Sequence, residues 1–177
     1  MNNMDVNDIL NENRVIFITG EITQDLANVV ISKLLCFEAE DKEKGITIYL
    51  NSPGGDSEAM HAILDVYELI KPDITVVNVS CAYSAASLLL AAGNKRYSLK
   101  SAQVMIHQVA ISTNKQRWTK EEINYLNESI NEEQQKYIDC MLKYTKITKE
   151  KLVEFLKRDT FLNALECVEL GIVDSIL

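Results

Sequence analysis

The chain has 177 residues, within the ~100–200 residues usual for one domain and long enough to bury a core without disulfides or metals. Hydrophobic residues at 47% and charged residues at 25% give an ordinary globular balance, which excludes wholesale disorder. A formal charge of −8 with no basic run longer than two excludes a phosphate-tracking surface and so nucleic acid, and no stretch approaches the ~20 apolar residues of a membrane helix. The first thirteen residues have no basic start and no apolar run, so no secretion signal is expected. Val15–Thr19 (VIFIT) is a β-branched strand ended by Gly20. Gln24–Glu40 has a helical period, with Leu26, Val29 or Val30, Leu34 and Phe37 on one face. A second strand is expected over 46–50, closed by NSPGG (51–55). A helix over 58–70 follows, with Ala59, Ile63, Val66 and Ile70 inward, broken by Lys71-Pro72-Asp73. A third strand (74–79) leads to a short apolar helix (84–92) stopped by Gly93. Strands over 96–99 and 103–107, a long helix Lys120–Tyr144, a shorter one over 149–157 and a last turn or two over 163–170 complete the chain, with 172–177 extended.

Strand and helix alternate, so an α/β fold with a largely parallel sheet is expected. Gly54-Gly55, Ser84 and His107 each fall just past the carboxyl end of one of three consecutive inner strands, the edge where such sheets gather their ligands. Ser84, between strand and helix, reads by itself as a helix cap, though the position also gives a nucleophile what it needs. In the second reading the unpaired N–H of Ala85 at the helix start can hold an oxyanion. Ser87 lies one turn on and is the rival nucleophile, better read as a small core residue bonded to a preceding carbonyl. Gly54-Gly55 lacks the GKS or GKT of a phosphate loop, but two glycines permit close backbone approach, and the Gly55 N–H is then a second oxyanion donor. Only His61 and His107 exist. His61 shares a polar face with Ser57, Glu58, Asp65 and Glu68, so any imidazole base is His107. Its orienting acid is one of Asp56, Asp73, Asp159 and Asp174, all near element ends. Cys36, Cys81, Cys140 and Cys167 are scattered among apolar neighbours without CxxC or Cys/His spacing. Buried reduced thiols are expected, with no metal site.

RVIFITGEI (14–22), IYLNSPGGD (48–56), CAYSAASLLLAAG (81–93), KRYSL (95–99), VMIHQ (104–108) and RDTFLNALECVELGIVDSIL (158–177) together resemble the proteolytic subunits of the Clp protease family, in the right order and from about Asp5 onward. The resemblance implies a crotonase-like fold of repeated strand-strand-helix units in one domain, with a projecting handle helix over about 120–144. It divides the chain into a segment 1–13, short relative to the family's axial loop, and a catalytic domain 14–177. It implies a cytoplasmic serine endopeptidase with Ser84 of SAAS as nucleophile, His107 of MIHQ as base and Asp159 of RDTF as acid, with the Gly55 and Ala85 amides as oxyanion hole. It also implies homo-oligomeric heptameric rings stacked in pairs, fed with unfolded protein by an AAA+ Clp ATPase. No cofactor is implied, since only that partner uses ATP. Two departures stand out. The family's Pro- and Gly-rich strand after MIHQ is replaced by 109–118, which has neither residue, and Lys157 stands where an acidic residue commonly precedes the Arg-Asp pair. The alternatives are a catalytically silent ring subunit and a crotonase-type acyl-CoA enzyme, the latter requiring acidic catalysts and no serine.

Overall fold

Seven strands share one sheet: β1 (Val15–Thr19), β2 (Ile46–Ser52), β3 (Ile74–Tyr83), β4 (Lys95–Ser98), β5 (Gln103–Ile106), β6 (Thr160–Asn163) and β7 (Ser175–Ile176). The computed structural model describes residues 5–111 and 116–177. The start of the N-terminal segment, 1–4, and the middle of the stretch after the histidine strand, 112–115, lie outside the described residues. Strands β1, β2, β3, β4 and β7 lie side by side in that order, all parallel. Strand β3 is long enough to serve two neighbours. Its residues 75–78 pair with β4, and its last three, Cys81 to Tyr83, pair with β5. At the changeover the buried Asn78 side chain donates to the Gln103 carbonyl at 3.0 Å, tying the departing β5 to the strand it rejoins.

The helices are α1 (Val6–Glu12), α2 (Gln24–Glu40), α3 (Ser57–Leu69), α4 (Ala85–Ala91), α5 (Lys120–Tyr144), α6 (Lys149–Phe155) and α7 (Ala164–Glu169). βαβ crossovers bring the parallel strands of such a sheet side by side. Helix α2 buries Ala27, Val30, Leu34 and Phe37, while Val29 is exposed; of the two alternatives, Val30 is the inward one. Helix α4 is buried at all seven positions, which only Ala, Leu and one bonded serine allow. Burying each of its leucines is worth about 1.5–3 kcal/mol, and the whole stack fixes where the chain enters the helix at Ser84. Helix α5 has 25 residues, hence a length of ~37 Å. Its C-terminal part buries Tyr137, Ile138 and Met141, whereas Ile123 near its start is exposed, so the first half projects from the core as its length requires.

Two elements lie outside the sequence expectations, and the expectations for 172–177 and for the cysteines are corrected. Residues 6–12 form a helix, α1, which buries no residue and so offers no apolar period to read. Residues 160–163 form strand β6, antiparallel to β5; with one buried side chain, it is too short to show a pattern. Over 172–177 only Ser175–Ile176 is strand. Of the four free cysteines only Cys167 is fully buried, and Cys36 is exposed.

Candidate active site

Strand β3 ends at a sharp turn. Ser84 adopts φ 53° and ψ −124°, a conformation rare for any residue but glycine and costing about 1–3 kcal/mol. The turn is held by the Ser84 N–H donating to the Met105 carbonyl at 2.9 Å and by the buried α4 behind it. Gly54 is packed against it: a Cβ there would lie 2.6 Å from the Tyr83 carbonyl oxygen and 2.8 Å from the Ser84 Cβ. No side chain fits, so the end of β2 presses directly on the serine turn. Ile22 bridges to Gly55, using the Gly54 carbonyl and the Asp56 N–H and leaving the Gly55 N–H unpaired. The Ala85 N–H, at the first position of α4, also has no intrahelical partner. Gly55 and Ala85 both line the cavity that contains Ser84.

His107 follows β5 and places Nε2 at 2.6 Å from Ser84 Oγ, within hydrogen-bond range for a base to take the hydroxyl proton. The antiparallel register pairs Ile106 with Thr160, so the next rung sets His107 opposite Asp159. There His107 Nδ1 and Asp159 Oδ1 are 3.8 Å apart, with the carboxylate 65% exposed. The other acids are engaged elsewhere. Asp56 caps α3 by accepting from the Ala59 N–H at 2.7 Å and holds Gln24. Asp73 pairs with Lys95 at the surface. Asp174 accepts from the backbone and guanidinium of Arg96 at 2.7 and 2.6 Å. Ser87 is fully buried, donates to the Ser84 carbonyl at 2.6 Å and meets the Tyr137 hydroxyl at 2.8 Å. Its proton is committed and no solvent reaches it, which leaves Ser84 as the accessible hydroxyl beside an imidazole. Burial pushes the Tyr137 phenol up to about 12, against the opposing pull of the Ser87 bond. Among the described residues no group of His, Cys, Asp and Glu side chains is placed to hold a metal, and no helix is long and apolar enough to cross a membrane.

A cavity of about 520 Å³ opens beside the serine, walled by α3, α5 and the segment after β5. Two of its features were missed. His61 does not lie on a solvated face: its ring is 23% exposed and meets Glu133 on α5 at 2.7 Å, bringing Glu133 to the cavity wall. Gln134, which interrupts the apolar stripe Ile123, Leu126, Ile130, Tyr137 and Met141 of α5, accepts from the Val109 N–H at 2.9 Å. It thereby ties the chain leaving His107 to the long helix. That break was the one available signal, because the pairing itself joins residues 25 apart.

A hydroxyl on a strained strand-to-helix turn with an imidazole 2.6 Å from it, on a mainly parallel sheet, is an arrangement able to carry out serine-type hydrolysis. The Clp protease family model matches residues 1–177. The ATP-dependent Clp protease proteolytic subunit 2 of Bacillus licheniformis is 39% identical over 168 residues, covering 94% of this chain and 87% of that protein. The ATP-dependent Clp protease proteolytic subunit of Dehalococcoides mccartyi is 35% identical over 175 residues, covering 98% and 86%. The chain belongs to the Clp protease family and is a serine-type endopeptidase. The acyl-CoA and catalytically silent alternatives are not favoured.

Proposed function

We propose that Ser84, His107 and Asp159 form the catalytic triad, with the Gly55 and Ala85 amides as oxyanion hole. The observation that carries this reading is the 2.6 Å contact between His107 Nε2 and Ser84 Oγ. Ser84 Oγ attacks the peptide carbonyl as His107 Nε2 takes its proton, and the resulting oxyanion sits between the two amides. The tetrahedral adduct collapses with the proton passing from His107 to the leaving amine. Water, deprotonated by the same imidazole, then hydrolyses the acyl-enzyme. Asp159 holds the imidazole tautomer and stabilises its positive charge. At 3.8 Å the pair is longer than a hydrogen bond, and such contacts tighten once substrate is bound. The catalytic domain spans 14–177, preceded by the short segment 1–13.

The active form is a homo-oligomer of heptameric rings stacked in pairs in the cytoplasm, receiving unfolded chains from an AAA+ ATPase and using no cofactor itself. Support comes from α5, whose exposed first half carries Ile123 and Tyr125 at 55% and 69% exposure, apolar surface that a ring partner would cover. The test is labelling by a fluorophosphonate with mapping of the modified residue. The label is expected on Ser84 and absent from Ser84→Ala, which also loses peptide hydrolysis by about 10³-fold or more while assembling normally. Label on Ser87, or undiminished turnover in Ser84→Ala, overturns the assignment.

A further inference from the structure

The wall of the cavity beside Ser84 carries a fixed carboxylate with no counterpart in a purely apolar pocket. We propose that this cavity selects a basic side chain, lysine or arginine, on the residue whose carbonyl is attacked, and that Glu133 is its anchor. The inference rests on Ser84 being the nucleophile. Glu21, Asp56 and Glu133 all border the cavity, and no lysine or arginine among the described residues does. Their situations differ. Glu21 is exposed at the rim, and Asp56 is spent on capping α3 and holding Gln24. Glu133 is only 19% exposed and its Oε1 is held at 2.7 Å by His61 Nε2. Its Oε2 is 3.4 Å from Lys136, whose side chain is 62% exposed.

The His61 contact at Oε1 holds the carboxylate in place, and the solvated Lys136 pair at Oε2 is screened. Glu133 is therefore a preorganised anion in a half-buried wall. Met60, Val109 and Ala110 border the same cavity and offer apolar surface to the methylene stem of a lysine or arginine. Its charged end then reaches the carboxylate in a charge-assisted hydrogen bond. A leucine fills the apolar part but strips water from Glu133 without replacing it, and a glutamate meets like charge.

Full-length assembled protein is assayed on fluorogenic peptides identical except for Lys, Leu or Glu before the scissile bond. The wild type is expected to favour Lys over Leu in kcat/KM by about tenfold, the scale of one hydrogen bond to a charged group. Glu133→Gln is expected to lower that ratio by about the same factor, and Glu133→Lys to bring the Glu peptide above the Lys peptide, which a merely structural role would not do. Independently of any variant, mass spectrometry of cuts in a mixture of synthetic peptides should show Lys and Arg enriched before the cut. Preferential cutting after Leu or Met, or a Lys/Leu ratio indifferent to both Glu133 variants, overturns the proposal. Fluorophosphonate labelling of the same samples separates the two readings. Protein labelled on Ser84 but lacking the basic preference fails the pocket alone, whereas protein neither labelled nor active on any peptide fails the nucleophile and the pocket with it.

Discussion

Two serines three residues apart differ in role because of what each hydroxyl touches. Ser84 Oγ has the imidazole of His107 at 2.6 Å and borders a cavity, whereas Ser87 is bonded on both sides and fully buried. Ser87→Ala should therefore act on stability before chemistry. It leaves the Tyr137 hydroxyl short of a partner at a cost of about 1–3 kcal/mol, read as a lower thermal midpoint, while peptide turnover stays within about tenfold of wild type. Gly54→Ala should do the reverse, since its φ of +94° and the 2.6 Å approach to the Tyr83 carbonyl would force the serine turn itself to move. A steep loss of fluorophosphonate labelling with the fold retained by circular dichroism is the expected outcome. Normal labelling of Gly54→Ala would show that the turn tolerates the shift.

At the scale of elements, Arg96 on β4 joins three segments. Its guanidinium donates to the carbonyls of Tyr144 at 2.6 Å, Gly171 at 2.8 Å and Ala91 at 3.3 Å, and to Asp174 at 2.6 Å. The end of α5, the end of α4 and the C-terminal segment thus meet on one side chain. Burial alone would raise the Asp174 carboxyl, but the side-chain and backbone hydrogen bonds from Arg96, with its charge, outweigh it and hold the group below its ordinary 3.8. A folded-state value below the unfolded one means the stabilisation is complete above that ordinary value and is lost as pH falls through the depressed one. Thermal midpoints measured from pH 6 to pH 3 should accordingly fall less steeply for Asp174→Asn than for the wild type, from a lower starting point. Parallel curves would show that the pair contributes nothing to acid sensitivity.

For the whole molecule, the feature that demands a partner is the projecting half of α5. Trp118, just before α5, and Ile123, Leu126 and Ile130 on it border a shallow apolar cavity of about 320 Å³, on a helix whose ~37 Å length is comparable to a whole domain of this size. Light scattering should give a mass many times the 20.0 kDa of one chain, and a fully active monomer would refute the ring. In the proposed double ring, the contact between rings should also respond to salt. Lys157 and Arg158 are exposed and adjacent, and like charges facing their equivalents repel over a Debye length of ~8 Å. Because Asp159 follows directly, Lys157→Glu should shift the ring-to-double-ring balance and peptidase rate together. Sedimentation velocity and activity across a salt series test this, and indifference of both to salt and to the substitution counts against it.

The sequence by itself determined the alternation of strands and helices, the three strand ends that carry Gly55, Ser84 and His107, and the length of α5. Each is a local property, written in apolar period, β-branching and glycine placement within a few residues. It also carried the family, because several motifs in fixed order are specific where one is not. Only the tertiary structure decided which acid faces His107. Composition left Asp56, Asp73, Asp159 and Asp174 equal, and the resemblance pointed to Asp159. The choice turns on the register of β6 against β5, and a four-residue strand with one buried side chain writes no period of its own. His61 and Glu133 stand 72 residues apart and Arg96 and Asp174 stand 78 apart. Contacts of that range depend on how whole elements pack, and no window along the chain contains them.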